Sequence, residues 1–391
     1  MSKDLELKWL DSFSKIKEEE WKALVPQDNP FYELRFLQAL ENSRSIGFET
    51  SWQIRVLLAI QDASIIAALV NFQKWDSYGE YIFDFEWAQA YTRAGLSYYP
   101  KLSLAIPFTP TTGQRVLIRE DVPDKDELVE RILQEALQHA KSEGHSSYHV
   151  LFHTAEEDKY FEKSKFSQRL THQYHWINRN YQSFEEYLAA LKKDKRKSIR
   201  KERESIRNSG LKIEILEADS IDPDLWKVYW SFYQNTHSRK WGQAYLKKEF
   251  FQEIFQTFRD HLVLVLAKDP SGKPVAGTLN FRGKNILFGR YWGAIEEYPN
   301  LHFELCYYQL IDYAIANKLE KFEAGAQGEH KYLRGFEVVP IYSSHMFFNS
   351  QANLSIANYL QRECENTKLA IEEWNLKSPL KIFREEEGAK P

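Results

Sequence analysis

Two short segments set the frame for this chain. AALVNFQ at residues 67–73 and AGTLNFR at residues 276–282 share their length, their alternation and a central Asn-Phe pair. Each forms the second arm of a hairpin pattern: 55–60 and 65–72 around a turn at 61–64, then 262–268 and 275–282 around a turn at 269–273. A Trp/Tyr/Phe-rich stretch with strand alternation (80–118), an amphipathic helix (126–141) and a strand (147–152) follow the first hairpin. After the second come a strand (288–293), an apolar run at helical spacing through Leu301, Leu305, Tyr308, Ile311 and Ile315, and a short strand from Phe322 to Gln327. The recurring order predicts an α/β (α+β) fold of two like units, each with a mixed, mostly antiparallel sheet.

Composition bounds the class. The 391 residues are 43% hydrophobic and 28% charged, enough to bury the cores of two or three domains. The expected divisions are 1–180, 181–350, and a C-terminal helix and tail at 351–391, with a packing helix at 356–374 and a mobile end after Pro379. The most apolar run, 54–70, is interrupted by Arg55, Gln61 and Asp62 and falls short of a membrane span. MSKDLELKWLDSF carries charge where a signal peptide is apolar, so a cytoplasmic location is expected. The two cysteines, Cys306 and Cys364, exclude a disulfide framework or a cysteine metal site. No HExxH, GxxxxGK[ST] or GxSxG occurs, and His172 and His175 would lie on opposite faces of a strand, so no metal centre is expected. With a net charge of −4, affinity for phosphate has to come from a local patch.

One such patch is evident. SFEEYLAALKKDKRKSIRKERESIRNSG, residues 183–210, opens with a capping-box pattern at Ser183 and Glu186 and ends on Gly210, which predicts one helix over 183–208. From Lys192 to Arg207 it sets nine basic residues against Asp194, Glu202 and Glu204. Lys193, Arg196, Lys197 and Arg200 are the candidate nucleic-acid contacts; a nucleotide-linked precursor, an anionic lipid surface or plain solvation of the helix would suit the same charge.

A second candidate lies in GRYWGAIEEYPNLHFELCYYQLIDYAIANKLEKFEAGAQGEHKYLRGFEVVPIYSSH, residues 289–345. Asn300 reads as an N-cap for the apolar helix. In the strand after it, Glu323, Gly325 and Gln327 share a small, polar face suited to a ligand. Gly328 permits a sharp turn, and a helical turn at 330–334 would set Lys331 and Arg334 on one side, fit for a phosphate or carboxylate. The candidate substrate-binding set is Lys331, Arg334, His330, Gly325, Gln327, Tyr291 and Glu323.

Several of these segments together carry a resemblance. FDFEWAQAYTRAGLSYYPKLSLAIPFTPTTGQRVL, HWINRNYQSFEEYLAALKKDKRKSIRKER, HSRKWGQAYL, GRYWG, LHFELCYYQ and EAGAQGEHKYLRGF make the chain similar to predicted bacterial N-acyltransferases related to the Fem-type peptidoglycan-bridge aminoacyltransferases. The resemblance implies two GNAT acetyltransferase-like domains in tandem. It also implies transfer of an acyl or aminoacyl group to an amine, such as one on a cell-envelope or peptidoglycan precursor. Acyl-CoA or aminoacyl-tRNA would serve as co-substrate, with no permanently bound cofactor and with RNA contacts on the basic helix. Such a transfer needs a base to free the attacking nitrogen, and Glu304 or His302 in LHFE would supply it. Ordinary acetyltransferases grip coenzyme A with a glycine-rich basic loop, whereas here that position reads EEYPNLHFE. The competing expectation is a non-catalytic protein that binds RNA or an anionic envelope precursor in the same groove.

Overall fold

The computed structural model describes residues 5–240, 244–326 and 328–383. Its contacts divide the chain into two units, each made of two pieces: one runs to Thr171 and takes back Pro340–Lys368, the other holds His172–Val339 and resumes at Leu369. Divisions in simple chain order at 180 and 350 miss this arrangement. A hydrophobic pattern reports that a strand is buried, not which sheet it joins.

Strands β1 (Glu6–Leu10), β2 (Trp52–Gln61), β3 (Ser64–Lys74), β4 (Lys101–Leu104), β5 (Val116–Ile118) and β6 (Ser147–His153) belong to the first unit. β7 (Ser167–Ile177) crosses the first boundary, and β8 (Lys212–Glu217), β9 (Leu262–Lys268), β10 (Pro274–Arg282), β11 (Ile286–Ala294) and β12 (Lys321–Glu323) follow. β13 (Glu337–Phe347) crosses the second. The first unit orders its main strands β1-β2-β3-β4-β6-β13, and the second β8-β9-β10-β11-β12-β7. Neighbour by neighbour the senses agree: three antiparallel pairs, one parallel pair (β4 with β6, β11 with β12) and a final antiparallel pair. The first unit's sixth strand is therefore drawn from beyond its main run of sequence, whereas the second unit's lies at the start of its run. AALVNFQ and AGTLNFR sit in the equivalent strands β3 and β10, and both shared asparagines are fully buried. Their amides have partners, Tyr148 Oη to Asn71 Oδ1 at 2.7 Å and Asn280 Nδ2 to the Val263 carbonyl at 2.9 Å, as buried amides require.

In each unit a helix covers the sheet between the fourth and fifth main strands. Lys125–Ser142 buries Leu128, Val129, Ile132, Leu133, Ala136 and Ala140, spacings of three and four that make one apolar stripe. Each fully buried leucine there contributes about 1.5–3 kcal/mol. In the 80–118 stretch, read as strand patterns, residues Phe85–Arg93 form a helix instead, with Trp87 and Tyr91 buried on one face. Aromatic residues favour strands in general, yet a four-residue spacing of large rings satisfies a helix equally well. Beneath this helix the first unit buries an ionic cluster. Lys101 Nζ meets Glu80 at 2.7 Å, Ser77 Oγ at 3.0 Å and the Asp84 carboxylate, with all three ionic side chains almost wholly enclosed.

The basic stretch also departs from expectation. Ser183 does cap its helix, accepting from the Glu186 amide at 3.2 Å, but the helix Phe184–Ala190 stops and a second, Lys193–Arg207, begins. Leu191 leaves the helix to form a β-bridge with Leu380, and the Lys192 amide donates to the Pro379 carbonyl at 2.9 Å. The segment after Pro379 is thus anchored as far as it is described: Leu380 is buried and the Lys381 amide donates to the Ala190 carbonyl. Helix Ser350–Leu376 covers the expected packing helix at 356–374.

Candidate active site

The site grows from the helix that follows β11. Its apolar residues Leu301, Leu305, Tyr308 and Ile311 are buried as their spacing predicts, but the helix is not uniform. Leu301–Phe303 is α-helical, Glu304–Tyr308 a π-turn, and Gln309–Ala316 α-helical again. A π-turn inserts one residue and re-aims the side chains before it relative to those after it. Asn300 does occupy the N-cap, its carbonyl accepting the Glu304 amide at 3.0 Å, but its backbone is left-handed (φ 68°) and its side chain makes no capping bond, its amide donating instead to Ser205 Oγ at 3.0 Å. Asparagine is among the few residues that tolerate that conformation.

The inner face of the basic helix braces this turn. Ile199 and Ile206 are buried, and Glu202 and Arg203 lie between them on the same stripe. Arg203 Nε and Nη2 reach Glu304 Oε1 at 3.2 Å, Gln309 Nε2 donates to the same oxygen at 2.7 Å, and Arg203 also meets Asp312 at 2.8 Å. Burial pushes the Glu304 carboxyl up, against the pull of Arg203. Glu202 accepts the Arg334 guanidinium on both oxygens at 2.9 and 3.0 Å and takes the Tyr308 hydroxyl as well. Neither residue stood out in the sequence, although their placement between two isoleucines seven apart marks them as inward-facing.

On the other side of β11 lies a cleft of about 520 Å³. Trp292 and Ala294 of β11, Asn235 and Thr236 of helix Leu225–Lys240, and Leu301 and His302 form its walls; Glu296–Pro299 form its mouth. The pairing of β11 with β12 ends at Phe288 and Glu323, while β11 runs on to Ala294 and leaves this strand end to line the cleft. Gly293 allows the close approach of the helix, since a Cβ there would lie 2.4 Å from the Phe232 backbone. His302 stands edge-on to Trp292, with ring centroids 5.2 Å apart. Of the two candidate bases, His302 lines the cleft, and the Glu304 carboxylate faces Arg203 and Gln309.

Of the other sequence candidates, Glu323, Lys331 and Arg334 are buried and His330, Gly325 and Tyr291 half-buried. The His330 ring lies 5.9 Å from that of His302, and its Nε2 is 2.8 Å from the Tyr307 hydroxyl. Residues Glu329–Arg334 make the expected helical turn, but Lys331 and Arg334 serve different partners. Arg334 stacks on Phe303 at 3.5 Å and joins Glu202 and Tyr308, while Lys331 Nζ donates to the Gly325 carbonyl at 2.7 Å. Lys331 is 2% exposed, and burial drives its ammonium down to about 7. Gly325 adopts φ 83°, a glycine conformation that turns this carbonyl toward Lys331. Glu323, also buried, pairs with Lys321 at 2.7 Å, with His175 at 4.0 Å. Tyr291 packs against Tyr233 and Phe251, and its carbonyl accepts the Tyr229 hydroxyl. Gln327 lies outside the described residues. Among the described residues no group of acidic, histidine or cysteine side chains could hold a metal ion.

A family model described as peptidoglycan biosynthesis/recognition, FemAB-like, matches residues 12–382. The chain belongs to the FemAB-like family. Curated proteins give no match. Among solved structures, FemX is 12% identical over 90% of this chain and 100% of its own, with a TM-score of 0.54. The C-terminal domain of a putative lysylphosphatidylglycerol synthetase from Agrobacterium fabrum is 9% identical over 86% and 94%, TM-score 0.54. L-PGS from Bacillus licheniformis is 10% identical over 84% and 95%, TM-score 0.50. At these identities the structures speak for the fold alone, two units of like strand order. Family membership supports an acyltransferase.

Within the FemAB-like frame the outward face of the basic helix is free of the bracing role. Lys193, Lys197 and Arg200 are exposed and Arg196 half-buried; Arg200 pairs with Glu185 at 2.6 Å. No described helix is long and apolar enough to cross a membrane.

Proposed function

We propose that this FemAB-like protein transfers an aminoacyl group from aminoacyl-tRNA to an amine on a cell-envelope precursor, with the cleft at the end of β11 receiving the amine. The observation that carries the reading is His302 on the cleft wall, at the head of a helix braced by the basic helix. His302 accepts the proton as the nitrogen attacks the donor carbonyl; the new C–N bond replaces the ester C–O bond, and the tRNA hydroxyl leaves with a proton. Glu304 acts behind it as a positioning residue, holding the π-turn through Arg203. Lys331 and the Gly325 carbonyl form the polar floor behind the rings, with Arg334, His330, Tyr291 and Glu323 fixing its shape.

The charge distribution favours tRNA over coenzyme A as donor. The turn before the cleft helix, where acetyltransferases cradle a pyrophosphate, presents Glu296 and Glu297, while the exposed Lys193, Lys197 and Arg200 offer a separate site for phosphates. The test is to offer the protein tRNA charged with labelled amino acids, or labelled acetyl-CoA, with an extract of envelope precursors, and to follow label into alkali-stable amide. Label is expected from the charged tRNA, and His302→Gln should slow transfer by about 10²–10⁴-fold while tRNA binding persists. Label arriving only from acetyl-CoA would refute the donor.

A further inference from the structure

The first unit presents an aromatic face to solvent. In the segment that leads into helix Phe85–Arg93, Glu80, Ile82 and Asp84 are buried while Phe83 and Phe85 point outward. Lys101 clasps the two buried carboxylates, so the rings between and after them are held out in water. Tyr78, Phe83 and Phe85 are 59%, 53% and 40% exposed, and the Phe85 ring lies 5.9 Å from that of Tyr78 and 6.2 Å from that of Phe83. Three such rings leave on the order of 200–400 Å² of aromatic surface in water. That is the scale at which an exposed patch marks an interaction site. Phe85 also lines a groove of about 630 Å³, walled by Gln89, Thr92 and Arg93 of the helix and by Leu96 and Tyr99 after it.

The charges on this face decide what fits it. From Trp75 to Tyr99 the exposed charged side chains are Glu86 and Arg93 alone, since Glu80 and Asp84 are buried and Asp76 is half-buried against Lys74 at 3.2 Å. Among the described residues Glu86 makes no ion pair, and Arg93 meets only Gln89, at 3.5 Å. Seven residues apart, the two lie on one stripe of the helix, about 10 Å from each other along its axis. A nucleic acid or an anionic membrane calls for a surplus of cations, which this face lacks. Its complement is a second copy of itself. An antiparallel pairing of two such helices, centred between Gln89 and Ala90, sets Glu86 of each copy opposite Arg93 of the other. The same pairing brings each Phe85 toward the Leu96 end of the opposite groove. We infer that the protein forms a two-fold dimer through helix Phe85–Arg93, with the Glu86–Arg93 pair made twice and Phe85 of each copy seated in the groove of the other. Rings already held outward lower the cost of association, because none has to be unpacked to make the contact.

Sedimentation velocity of the full chain over a dilution series should show a concentration-dependent dimer. Glu86→Arg sets like charges opposite each other twice, as does Arg93→Glu, and each variant alone should dimerise at least about tenfold more weakly. Mixed in equal amounts, the two variants should pair with each other at close to wild-type strength, because every arginine then meets a glutamate. Both positions are exposed, so each variant should keep the wild-type circular dichroism, and pairing restored in the mixture separates a lost contact from a lost fold. A wild-type chain that stays monomeric up to about 0.1 mM would overturn the inference. So would single variants that dimerise as the wild type does, or folded variants that do not pair when mixed. A monomer that floats with neutral phosphatidylcholine vesicles, and ceases to when Phe83 and Phe85 are changed to serine, would assign the face to a lipid surface instead.

Discussion

Replacing Lys331 by methionine should make this protein more stable at neutral pH. The side chain is 2% exposed and its ammonium is held near 7 by burial, against an ordinary value of 10.5. At about 1.4 kcal/mol per pH unit, a depression of about 3.5 corresponds to an upper bound of about 5 kcal/mol. Methionine matches the chain length without the charge, but it abandons the Gly325 carbonyl, returning about 1–3 kcal/mol. The net gain is about 2 kcal/mol or more. Its sign with pH follows from proton counts. Between 7 and 10.5 the unfolded chain holds a proton that the native chain has released, so wild-type stability rises through this window. The penalty is full below 7 and absent above 10.5. Denaturant unfolding of both proteins at pH 6, 8 and 10 should therefore show a variant advantage that is largest at pH 6 and shrinks as pH rises. A variant less stable than wild type at pH 6, or an advantage independent of pH, would refute the reasoning. A lysine kept at such a cost marks a position retained for something other than stability.

Lys101→Met should act in the opposite direction, costing about 3–5 kcal/mol because Glu80 and Asp84 stay buried without their cation; adding Glu80→Gln and Asp84→Asn should recover part of the loss in urea unfolding. Arg203→Met should destabilise by a comparable amount, since Glu304 keeps only Gln309 as a partner. It should also slow transfer, an effect that Arg203→Lys partly rescues if bracing of the π-turn is the cause. Gly293→Ala forces a Cβ to within 2.4 Å of the Phe232 backbone and should cost at least about 1–3 kcal/mol, read as a lower melting temperature. Lys197→Ala should weaken tRNA binding and lower its salt slope by about 1, with no change in global stability.

The hairpins, the helix at 125–142, the helical run from Leu301 and the Ser183 cap were all legible because each is fixed by local spacing or a local hydrogen bond. What the sequence missed depended on partners far along the chain. The basic helix breaks at Leu191, where Leu380 pairs with it, and Arg334 parts company with Lys331 because it finds Glu202, 132 residues away. The pairing of Arg203 with Glu304 spans 101 residues and leaves no periodic trace.

The amino-acid order by itself set the duplicated unit, the chemistry available at LHFE and the positive charge of the basic helix, since periodicity and composition act over a few residues. Tertiary structure alone decided which strand completes each sheet, that the helix beside the cleft carries a π-turn, and that His302 rather than Glu304 faces the open space. Those choices are made by hydrogen-bond and ion-pair partners that only folding brings within reach.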